Sequence, residues 1–236
     1  SQYSTVGGGQ DNTASSGHYT TVGGGQDNTA STGTHATVGG GQNNISSGGQ
    51  STVSGGINNT ASGSKSTVSG GENNTSTDTH TTVGGGSGND ATNDYSTISG
   101  GQNNTASGVR SFVGGGLGNT ASSTLSVVAG GESNTAGGTL STASGYQAGT
   151  SRWGQFAHAS GRFSSNGDAQ YCRYIVRTAT TDATANVELF LDGTGGSNRI
   201  TIPESTAYQF HIYITSIQQT GNNAKSSEIT GLIRRE

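Results

Sequence analysis

The apolar positions of this chain fall on a fixed rung. A β-branched residue returns at Val6, Val22, Val38, Val53, Val68, Val83, Ile98, Val113 and Val128, and Ala143 holds the same register. The first two intervals are 16 residues and the rest are 15. Gly stands two positions after each of these residues, from Gly8 to Gly145, and Asn stands six positions after nine of them. No segment shows a 3.6-residue apolar period, and the repeat is too short for a helix pair, which needs more than about 30 residues. Two short strands per repeat fit. In "YSTVGG" the small residue two before Val (Ser4, Thr20, Ser51, Ser66) shares the inward face, while Thr and the residue three before Val take the other. In "NTAS" the residues Ala14, Ala30, Ala61, Ala91, Ala106, Ala121 and Ala136 point inward and Thr outward. Gly-Gly after the first strand supplies a positive-φ corner. Asn12, Asn28, Asn44, Asn59, Asn74, Asn89, Asn104, Asn119 and Asn134 predict a stacked ladder, each amide bonding the next rung, at a corner that tolerates left-handed backbone.

The repeats therefore read as rungs of a narrow parallel coil. Ten of them at ~4.8 Å make a rod roughly 45–50 Å long. With 43 Gly and only 27% hydrophobic residues, the composition alone would suggest disorder, but the period lets few apolar residues stack into a continuous core. One Val, one Ala and one Ser per rung make a thin interior, so three chains are expected to pack side by side. After Gly149 the register fades. Trp153, Phe156 and Phe163 suggest a cap, and alternating segments follow at 170–178, 186–192, 198–202, 207–217 and 226–235, separated by "DGTGGSN", "PES" and "TGNN". The reading is all-β: a homotrimeric parallel β-roll or β-helix of 15–16-residue repeats over 1–150, a junction or cap over 151–168, and a small antiparallel, sandwich-like domain over 169–236.

The columns of residues 1–150 resemble the head repeats of YadA-type trimeric autotransporter adhesins. The "GGxxNxA" form, as in "GGGQDNTAS" and "GGQNNTASG", is still more similar to repeats in tail fibres of marine bacteriophages. "SGRFSSNGDAQYCRYIVRTATTDATANVELFLDG" resembles a module at the C-terminal end of phage tail fibre proteins, over roughly 160–236. That module often continues past "LIRRE", and the chain lacks Met and starts inside a repeat, so a truncated or processed product is expected. The resemblance implies a trimeric fibre of the virion that attaches to a host-surface glycan or protein and joins other virion tail proteins. A cell-surface autotransporter adhesin and a polysaccharide-degrading tailspike are the alternatives.

Charge narrows the partners. Residues 1–151 hold two basic residues (Lys65, Arg110) against seven acidic ones, and residues 152–236 hold eight against seven. Neither part has the basic surplus that phosphate-backbone binding needs, so no nucleic-acid partner is expected. No apolar run approaches the ~20 residues of a membrane span, and no membrane insertion is expected. Cys172 reads as a small buried hydrophobe.

No residue pattern in the chain carries a catalytic expectation. "GGGQDN" lacks the Lys and helix of a phosphate loop. Asp occupies its corner only at Asp11 and Asp27, too rarely for calcium in every rung, and the histidines lack ligand spacing, so no cofactor and no metal are expected. Glu72, Asp78, Asp90, Asp94 and Glu132 do not all recur in one column, and Asp168 with His158 reads as junction hydrogen bonding. The varied column three before each Val (Tyr3, Tyr19, His35, Gln50, Lys65, His80, Tyr95, Arg110, Leu125, Leu140) reads foremost as an inter-subunit contact and second as a glycan surface. The Thr13, Thr29, Thr60, Thr105, Thr120 and Thr135 row, broken by Ile45 and Asp90, reads as solvated strand rather than an ice-binding array. Ligand contact is expected of the exposed aromatics and arginines beyond the coil: Trp153, Arg199, Tyr208 and Tyr213.

Overall fold

The computed structural model describes residues 3–176, 206–217 and 224–235. Every regular element among them is a strand. The chain divides into two compact units, Ser1–Asn198 and Arg199–Glu236.

The first unit is a β-solenoid of about ten turns. One sheet has twelve strands, from Thr5–Val6 to Gln170–Arg173, and a second has ten, from Thr13–Ser15 to Gly149–Thr150. Neighbours are the same position one rung on: Val83 lies between Val68 and Ile98, and Ser76 between Ala61 and Ala91. A third line of parallel pairing, not anticipated from the repeat, runs as single bridges from Gln10 through Gln26, Gln42 and Ile57 to Leu117 and Glu132.

The interior is fuller than one Val, one Ala and one Ser. Asn28 through Asn134 are also wholly buried, so each inner rung contributes a fourth side chain. The Oδ1 of each asparagine accepts the main-chain N–H of the next, at 3.0 Å from Asn28 to Asn134. Its Nδ2 donates to two glycine carbonyls, as Asn104 does to Gly100 (3.1 Å) and Gly116 (2.9 Å). A buried amide with every group partnered is tolerable where an unpaired one would cost about 1–3 kcal/mol. Hydroxyls inside follow the same logic. Where the second sheet brings Ser46 or Ser76 inward, Ser51 or Thr81 faces it at 2.7 Å; where it brings Ala30, the residue at the matching inward position of the next first-sheet strand, Ala36, is buried too. Opposite Ala61 and Ala106, the hydroxyls of Ser66 and Ser111 are buried without a partner.

Corners explain the glycine. The column Gly9, Gly25, Gly41 through Gly131 and Gly145 has φ between 88° and 101°. A Cβ at Gly101 would strike the carbonyl of Gly116 and sit 2.7 Å from Asn104 Nδ2, so the asparagine ladder and this glycine column require one another. The left-handed residue near the ladder is not the ladder Asn but the one before it: Asp11, Asp27, Asn43, Asn58, Asn73 and Asn103, at 53–55°. In the two 16-residue rungs the extra residue is Ser16 or Thr32, also left-handed (61° and 58°), placed after a strand of three residues instead of two.

At the C-terminal end, parallel pairing runs past residue 150: Phe156–Ser160 continues the first sheet beside Thr142–Tyr146, and Gln170–Arg173 closes it antiparallel. The closure is polar rather than aromatic. Gln170 behaves like a strand peptide, accepting from Gly149 N–H (2.7 Å) and donating to Gly149 C=O (2.6 Å). Buried Gln155 accepts from Ser151 and Arg152, and Asn166 donates to Ser133 C=O at 2.6 Å. Cys172 packs against the core, half-buried, and receives hydrogen bonds from both glutamines at 3.1 Å. Phe163 is 89% exposed and seals nothing.

In the second unit, Thr206–Ile217 and Ala224–Arg235 form a 12-residue antiparallel ribbon. Phe210 lies over Gly231, its cross-strand partner, where a Cβ would be 2.7 Å from the ring. The expected strands at 186–192 and 198–202 lie outside the described residues.

Candidate functional site

Three surfaces bear on function: the variable corner column, the acidic and histidine groups, and the capped end. The corner column is not on a strand, as the alternation suggested. All ten residues, from Tyr3 to Leu140, are left-handed with φ of 56–67°, forming the corner that leads into each first-sheet strand. For a residue with a side chain this geometry costs about 1–2 kcal/mol. None of the ten is Gly, which would fit most easily.

Stacking accounts for part of that choice. The rings of Tyr3, Tyr19 and His35 stack at 5.2 and 5.0 Å, and those of His80 and Tyr95 at 4.8 Å, within 11° of parallel. The Arg110 guanidinium lies 5.5 Å over Tyr95. Such pairs contribute about 0.5–1.5 kcal/mol each beyond their buried area. The stacking has a consequence for ligand binding. A sugar packs on the face of an aromatic ring, and the facing surfaces of these stacked rings cover one another.

Two of the acids converge on one donor. Asp78 and Asp94, on successive rungs, both accept from Thr79 N–H, at 3.1 and 3.2 Å. Asp90 sits in the outward Thr row of the second sheet between Thr75 and Thr105, where burial pushes its carboxyl up. Asp168 does not meet His158. Its carboxylate accepts N–H bonds from Ser165 (2.7 Å), Ser164 (2.6 Å) and Phe163 (2.8 Å), which hold its pKa below the usual range, Ser165 most strongly and Arg162 adding charge. His158 Nδ1 instead lies 3.1 Å from Ser144 Oγ. Among the described residues no three His, Cys, Asp or Glu side chains could hold one metal ion.

Of the four expected contact residues, Trp153 belongs to the first unit and Arg199, Tyr208 and Tyr213 to the second. Trp153 is half-buried in the turn after Gly149–Thr150. Tyr213 is 75% exposed on the ribbon, in the second unit, where His211 pairs with Glu228 at 3.2 Å. Tyr208 is placed on the same ribbon opposite Ile233, and Arg199 lies outside the described residues.

The alternation of "QFAHAS" and "QYCRYI" carries a face that sequence reasoning passed over. Arg173 stands opposite Phe156 and Tyr171 opposite His158, with Ala157 and Cys172 on the inward side. Phe156, His158, Tyr171 and Arg173 are all exposed. The signal was present in the parity of the two segments, but an antiparallel return onto a parallel coil could not be read from the repeat. The chain matches no family model and no curated protein sequence.

Proposed function

We propose that this chain is a structural and host-recognition protein, a trimeric phage tail fibre in which the β-solenoid presents a C-terminal domain to a host-surface glycan or protein. The observation that carries the reading is the corner column. Ten rungs locked in register hold outward side chains at left-handed positions where glycine would be less strained. A regular outward column kept at that cost suits contact with a neighbouring copy. Leu125 and Leu140, both exposed in the single chain, would be covered in such an assembly. Trimeric presentation would add avidity to weak single contacts. Light scattering without denaturant tests the assembly: about three times the 23.5 kDa chain mass is expected, and a monomer would remove the fibre reading. Retention of the labelled chain on immobilised bacterial surface polysaccharides or proteins tests recognition.

A second reading, glycan cleavage, draws on the convergence of Asp78 and Asp94. Hydrolysis by paired carboxylates would lower the viscosity of a polysaccharide solution, and Asp78→Asn or Asp94→Asn would abolish the effect. Constant viscosity across a polysaccharide panel excludes it.

A further inference from the structure

We propose that the outward face of the capped end, formed by Phe156, Tyr171 and Arg173, binds an acidic saccharide, with the sugar ring on the aromatic side chains and its carboxylate on the guanidinium. The proposal rests on the reading of the chain as a surface-recognition protein and names both place and ligand class.

Four observations converge. Gly154, Phe156, Tyr171, Arg173 and Ile175 line an open groove of about 280 Å³. That is near the lower end for small-molecule sites, the size for one ring of a polymer and not an enclosed chain. Tyr171 is 65% and Phe156 41% exposed, and among the described residues neither is in a ring–ring contact, unlike the corner tyrosines. Their faces remain open for a sugar. Arg173 is exposed and has no ion-pair partner among the described residues, although the planar fork of a guanidinium suits a carboxylate.

Charge distribution favours an anion at this end. Residues 152–176 hold three arginines and one acid, Asp168, whose carboxylate is already occupied by three main-chain N–H groups. The preceding 151 residues are net acidic and would repel the same ligand, so an acidic sugar is drawn to the end of the coil and away from its flanks.

The test uses the whole chain and oligosaccharides containing galacturonate, glucuronate or N-acetylneuraminate, each beside its carboxyl-reduced counterpart. At least one acidic member is expected to bind, and its reduced form at least tenfold more weakly. Arg173→Gln should weaken the acidic ligand tenfold or more and leave the reduced one unchanged, whereas Tyr171→Ala should weaken both. Both positions are exposed, and an unchanged thermal midpoint confirms that the variants are folded. Equal affinity for acidic and reduced forms, or parent-like binding by both variants, overturns the proposal while glycan recognition stands elsewhere on the molecule. Absence of binding by the parent to every acidic member overturns the site, and its failure on a wider panel of surface polysaccharides and proteins as well would remove the recognition reading with it.

Discussion

The first sheet has two ends that share an interior and differ outside. From Thr5 to Thr97 its outward row is unbroken threonine, with stacked tyrosine and histidine rings on the adjoining corner. From Phe112 onward the same row reads Phe112, Val127, Thr142 and Phe156, the corner carries Leu125 and Leu140, and Arg173 closes it. Beneath both ends lie the same Val column and Asn ladder, through Val128 and Asn134. Each rung is stabilised mainly by its neighbours, so the outward columns can change chemistry without disturbing the inward ones. Substitutions on the two sides should therefore separate sharply in size.

The largest effect is expected inside. Asn104→Ala removes the acceptor for Asn119 N–H and the donor for the Gly100 and Gly116 carbonyls at once. A loss of about 3 kcal/mol follows from burying groups without partners, read as a lowered midpoint in guanidinium unfolding. An effect below that of an exposed substitution would mean the ladder is incidental. Next comes the cap. Gln170→Ala leaves Gly149 without both of its side-chain hydrogen bonds, worth about 2 kcal/mol together. Amide exchange should show the Gly149 N–H losing protection first, with rungs near the N-terminus unaffected.

Outside, Tyr95→Ala deletes one ring stack and one cation–π contact. The expected cost is about 1.5 kcal/mol, with the Asn ladder intact by amide exchange. Ser66→Ala runs the other way. Its hydroxyl is buried beside Ala61 without a partner, so its removal should stabilise the chain by about 1 kcal/mol. The same change at Ser51, which is bonded to Ser46 and Gly48, should destabilise it.

The rung, its two strands and the inward positions of Val and Ala were legible because a strict period ties side-chain parity to a face. The third line of bridges was not, since a single residue per rung leaves no alternation to read. The left-handed corner of the Tyr3 column was hidden for a different reason. Tyr, Lys, Arg and Leu are not the residues that such backbone selects, whereas the Asp11 and Asn43 column uses ones that tolerate it. At the cap, aromatic residues drew attention by size, while the sealing is done by Gln155, Asn166 and Gln170, whose amides replace the peptide groups of an absent rung. The Phe156–Arg173 face needs the antiparallel return of Gln170–Arg173, a tertiary pairing with no local signature.

The smallest effect compares two aspartates with opposite shifts. Burial raises the Asp90 carboxyl, so its favourable contribution is full below the unfolded value of about 4 and is lost as pH rises through the folded one. Asp168 is lowered, chiefly by Ser165 N–H; its contribution is present above about pH 4 and is lost as pH falls through its folded value. Asp90→Thr restores the outward row between Thr75 and Thr105 and removes the charged form. It should raise stability at neutral pH by less than about 0.5 kcal/mol, the scale of exposed substitutions, and the gain should shrink below pH 4. Asp168→Asn should behave inversely, loosening the 163–168 turn at neutral pH and changing nothing in acid. Amide exchange at Ser164 and Ser165 across that pH range reads the turn directly. Parallel responses of the two variants to acid would contradict the assignment of one carboxylate to desolvation and the other to main-chain hydrogen bonding.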